Sequence, residues 1–147
     1  MTTQNIKTIF CIILHSFIVV EICHFLESSF LFDFLKNNLS SALITILAIN
    51  SATLGFMIPR IHSISVQYSE LNFSNTFKQM KLSIAEQIIL LGLSLITLVI
   101  FNSKIICFEF KSTICFTSLV AIGIYSIYIL WDINNSIFVL IDLLEKN

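Results

Sequence analysis

Four apolar stretches run along this chain, at residues 8–25, 40–58, 83–101 and 113–131. Each is close to the roughly 20 residues that a helix needs to cross a bilayer. The first, TIFCIILHSFIVVEICHF, lacks a small-x-small exit site and carries Glu21, so it reads as a retained helix and not a cleaved signal. Helical spacing continues past three of the runs. Phe73, Phe77 and Met80 lead into Ile84, which predicts that the third helix starts near Ser74 or Asn75. Ile61, Ile64 and Tyr68 extend the second, although Ile64, Val66 and Tyr68 also fit a strand. Ile133, Ile137, Leu140, Ile141 and Leu144 form an apolar stripe opposed by Asp132, Asn135, Asp142 and Glu145, which marks an amphipathic helix after the fourth run. The expected fold is a single all-α domain over residues 1–147. It is a polytopic membrane protein of four transmembrane helices. Helices 2, 3 and 4 extend, through residues 60–82 and 132–147, into a small cytoplasmic bundle.

Composition strengthens the membrane reading. Hydrophobic residues make up 56% of the chain and charged residues 12%, against about 25% charged in soluble domains. Mean hydropathy is +0.93. A chain this poor in polar groups cannot cover its surface with them, so most of that surface must face lipid. The net charge of −1 gives no general attraction to nucleic acid. Lys7, Arg60, Lys78, Lys81 and Lys146 fall on one side of a four-span arrangement, and Lys36, Lys104 and Lys111 on the other. The excess of basic residues predicts both termini in the cytoplasm.

The second run contains the unusual stretch LAINSATLGFMIPRIHS. Ser41, Thr45, Ala48, Ala52, Gly55 and Pro59 recur at steps of four and three along one helix face. Small stripes let backbones approach closely where lipid supplies no hydrophobic drive, so this stripe reads as a helix-packing face. Asn50 and Thr53 lie off it. An unpaired amide in hydrocarbon costs several kcal/mol, so Asn50 needs a partner in a neighbouring helix, another subunit or pore water. On the third run Gln87, Ser94 and Thr97 share a side with Ser83. These five residues, Asn50, Thr53, Gln87, Ser94 and Thr97, either line a pore or hold helices together.

Other polar groups are candidates for chemistry. His15 and Glu21 are ionisable groups within a span and are candidates for a proton path. Glu21 and His24 make a single Glu-x-x-His, whereas a di-metal bundle needs two such motifs and further carboxylates. No metal or other cofactor is expected. Cys107 and Cys115 are placed to pair in an oxidising compartment, yet no Cys-x-x-Cys is present, and the four Cys also suit small apolar fillers. Arg60, His62, Lys78 and Lys81 either carry the positive-inside signal or, repeated around a ring, hold a small anionic nucleotide. No nucleophile–base pair or phosphate loop is visible, so the sequence predicts no enzyme.

The run AINSATLGFMIPRIHSISVQYSELNFSNTFKQMKLSIAEQIILL, residues 48 to 91, resembles membrane subunits of bacterial two-gene anti-phage systems of the Kiwa or Hailong kind. The resemblance covers about a third of the chain and carries no catalytic signature. It implies a soluble partner that detects infection or makes a signal, with this chain as sensor or effector in the membrane. The residues and the resemblance together predict a homo-oligomeric, ligand- or signal-controlled pore. A non-conducting sensor or anchor, recruiting a soluble partner through its cytoplasmic helices, is the alternative.

Overall fold

A computed structural model describes residues 3–67, 74–105 and 109–145, leaving aside the side chains of residues 3–6, 60, 62–67, 74–76 and 136–145. The chain forms α1 (Thr3–Phe25), α2 (Phe30–Gln67), α3 (Ser74–Asn102) and α4 (Lys111–Glu145). Each contains a segment long and apolar enough to cross a membrane: Lys7–Phe25, Phe30–Pro59, Phe77–Asn102 and Lys111–Asn135.

α3 begins at Ser74, where the phenylalanine spacing puts it. α2 begins earlier than the second apolar run, at Phe30, ten residues before residue 40. The run DFLKNN looks like a loop in sequence, but a helix sorts it by face. Leu31, Leu35 and Leu39 turn inward, while Asp33, Asn37 and Asn38 stay exposed. Asn38 donates its amide to the Phe34 carbonyl at 3.2 Å, and the Lys36 ammonium sits 5.5 Å from the Phe101 ring centre on α3.

The α1–α2 turn is short because α1 stops abruptly. Glu27 takes a left-handed conformation with φ of 50°. The Ser28 N–H then reaches back to the Cys23 carbonyl at 3.0 Å. This is the bond pattern of a Schellman cap, with glutamate in the position that glycine usually fills.

α4 is the central helix. It packs against α1, α2 and α3, and α2 also packs on α3, while α1 scarcely touches α2 or α3. Two apolar clusters result. The larger joins Val20 of α1, Leu35, Leu39 and Leu43 of α2, Leu90 of α3, and Leu119, Ile122 and Ile129 among others of α4. The smaller joins Leu54 and Ile61 of α2 to Met80 of α3, with Met57, Phe77 and Ile84 around them. Outward faces carry Phe10, Phe17, Ile96 and Val99, which suit contact with lipid tails.

Leu119 is fully buried at the centre of the larger cluster. Leu119→Ala is expected to destabilise the bundle toward the lower end of the about 2–5 kcal/mol seen for buried leucines. Lipid is as apolar as this core, so lost packing supplies most of the cost. Leu95→Ala, on the exposed side of α3, is expected to change little. Unfolding of both variants in mixed micelles checks the contrast.

Candidate functional site

The helix period decides which of the polar residues turn inward. At 3.6 residues per turn, Asn50 lies half a turn round from Ser41 after nine residues. It continues the buried face made by Leu35, Leu39, Leu43, Leu54 and Ile61. On α3, Gln87 and Ser94 continue the buried face of Met80 and Leu90. α2 and α3 run antiparallel, joined by residues 68–73, and they meet through Leu54, Ile61 and Met80. Further from that join, α2 presents Asn50 one turn beyond Leu54, and α3 presents Gln87 two turns beyond Met80. Along these two helices the amides therefore occupy the gap between the two apolar clusters.

Neither amide is satisfied. Asn50 is 1% exposed and Gln87 3%, and the nitrogen and oxygen of both lack a hydrogen-bond partner. Buried amides in this state cost about 1–3 kcal/mol each. The buried serines behave differently. Ser94 donates to the Leu91 carbonyl at 2.8 Å, Ser16 to Ile12 at 2.7 Å and Ser126 to Gly123 at 2.8 Å. Each hydroxyl bonds its own helix and leaves only a small side chain at the packing surface. Thr53 and Thr97 are half-buried and likewise donate to Ile49 and Leu93. Of the five polar candidates, the two amides alone are buried without a partner.

The small stripe takes no part in the packing within the subunit. Ser41, Thr45, Ala48, Ala52 and Gly55 are all exposed. They lie opposite the face that α2 buries, so they pack no helix within the subunit. A Cβ added at Gly55 would meet nothing within 4 Å. The leucine face makes the internal contact instead, because leucines fill the space beside α4 that small side chains would leave empty. Pro59 ends the stripe inside a continuous α2. It has no N–H to offer the Gly55 carbonyl.

His15 and Glu21 sit on the exposed side of α1, Glu21 among Phe17, Ile18, Ile22 and Phe25. They do not lead through the subunit. The His24 ring is 5.4 Å from that of Phe32. Lys78 and Lys81 are exposed on the early turns of α3. The side chains of Arg60 and His62 lie outside the described residues, as do Cys107 and the apolar stripe beyond Ile133. Cys115 is a buried free thiol. Among the described residues no three His, Cys, Asp or Glu side chains gather as a metal site.

No protein-family model, curated protein or solved structure matches this chain. The site must therefore be read from its own geometry.

That geometry adds a pair that the spacing of residues did not reveal. Tyr125 of α4 donates its hydroxyl to Oε2 of Glu86 at 3.3 Å. The stretch of α3 apolar enough to cross a membrane begins at Phe77, and Glu86 follows about 14 Å along the helix from there at 1.5 Å per residue. Nothing local to α3 announces a phenol from a helix 39 residues later in the chain.

Proposed function

We propose that this chain is a membrane effector that works as a homo-oligomer and opens a controlled conduit. Its setting is a bacterial inner membrane with both termini in the cytoplasm, within a multi-protein anti-phage system. The observation that carries the proposal is the unpartnered Asn50 and Gln87 layer between α2 and α3. Protein groups alone leave these four amide atoms without bonds in the closed seam. A small separation of α2 and α3 admits water, which satisfies them and offsets part of the cost of opening. The closed and hydrated forms then differ by little, as a switch requires. The exposed stripe from Ser41 to Gly55 supplies a small-residue face for neighbouring copies. Anionic nucleotides at Arg60, His62, Lys78 and Lys81, or a soluble protein on the cytoplasmic extensions, would bias the seam.

A second reading has its own support. Asn50, Gln87 and Ser94 face the subunit interior and not its lipid surface, so a lumen shared between copies would lack all three. A non-conducting sensor or anchor, with a soluble partner on its cytoplasmic helices, fits that placement. Ion flux from liposomes holding the purified chain separates the two. Flux that rises on adding anionic nucleotides is the expected result. Silence from assembled, correctly oriented protein, with every nucleotide and with candidate soluble partners, would transfer the conclusion to the sensor.

A further inference from the structure

α1 and α3 both rest on α4 but hardly meet each other, and the space between them is a groove of about 430 Å³. Ile9 and Ile13 of α1 wall one side, Ile89 and Leu93 of α3 the other, and Ala121 and Ile122 of α4 form the floor. Glu86 and Tyr125 also line it and are its polar groups. The volume falls within the about 300–1,000 Å³ typical of small-molecule clefts. Ile13, Ile89 and Leu93 remain 50%, 59% and 46% exposed, so the groove opens sideways toward lipid. The small stripe of α2 takes no part in it.

From this geometry we infer that the groove binds a single-chain amphiphile with an ammonium head, the chain lying along the isoleucine walls and the head against Glu86. Charge chooses the head group. Glu86 is the acidic side chain among the apolar walls of the groove, and an opposite charge is the partner that a carboxyl group in apolar surroundings favours most. The phenol of Tyr125 supplies one hydrogen bond but no charge. Among the described residues Glu86 forms no ion pair. An ammonium entering from the bilayer completes the site with a charge-assisted hydrogen bond. A carboxylate head would be repelled, and an alcohol would bring a dipole without the charge.

Dodecylamine, dodecanol and dodecanoate are the probes. Saturable binding to the full chain in phosphatidylcholine nanodiscs is measured against empty nanodiscs. Dodecylamine is expected to bind at one per chain, with dodecanol and dodecanoate at least about tenfold weaker, the scale of one charge-assisted bond. Glu86→Gln should erase the preference for amine over alcohol while keeping the helical circular dichroism of the native chain. Leu93→Trp, which fills the groove, should remove binding of every probe. Equal affinity of amine and alcohol for the native chain would overturn the proposal without recourse to any variant. So would a Glu86→Gln chain that still prefers the amine, or an absence of saturable dodecylamine binding. Asn50→Leu should leave the groove unchanged, so loss of flux and loss of amine binding report on separate sites.

Discussion

The Asn50→Leu, Gln87→Leu double variant is expected to be more stable than the native chain and to lose nucleotide-responsive flux. Both outcomes follow from one fact, that these amides are buried without partners. Replacing a pair of buried polar groups by apolar ones of similar size removes a desolvation cost and leaves no widowed partner. The dry seam gains about 1–3 kcal/mol for each amide removed. The hydrated seam loses the groups that hold its water. For the two amides together, at about 1.4 kcal/mol per tenfold, the closed form should gain by roughly thirtyfold or more. Unfolding in mixed micelles and liposome flux are measured on the same preparations. If Asn50 and Gln87 glue helices together, stability should fall in the double variant. A destabilised double variant with intact flux would remove the amide layer from the mechanism.

Ala48→Phe and Ala52→Phe together are expected to break the assembly while leaving each subunit folded. Both positions lie on the face of α2 that points away from its own bundle. Within the subunit the rings have open space to occupy. Between copies they wedge apart a close backbone approach, at about 1–3 kcal/mol for each overpacked side chain. Crosslinking in native membranes and light scattering of purified protein should show smaller species, with helical content and subunit unfolding unchanged. Leu95→Phe, on the exposed side of α3, serves as the control and should change neither. An unaltered oligomer carrying both rings would place the subunit contact elsewhere.

Helix number and membrane-crossing length were readable from hydropathy, because a bilayer imposes a minimum length of apolar residues on any crossing helix. The start of α3 at Ser74 was readable as well, because Phe77, Met80 and Ile84 share a helix face. The start of α2 was obscured by the charged and amide residues of DFLKNN. A helix tolerates those wherever one face remains apolar. Sequence also separated Asn50 from the small stripe, since half a turn lies between them.

What the sequence by itself determined is therefore one-dimensional: four helices, their approximate spans and the angular order of side chains around each. Tertiary structure decided which face of each helix turns inward. The small stripe of α2 had the composition of a packing face, yet the leucine face took the contact with α4, because facing side chains must together fill the space between helices. It decided that Asn50 and Gln87 fall in one layer, which depends on the antiparallel register of α2 and α3. It also decided that Glu86 meets Tyr125 beside an open groove. That meeting depends on how α1, α3 and α4 stand around one another, and no periodicity within a single helix encodes it.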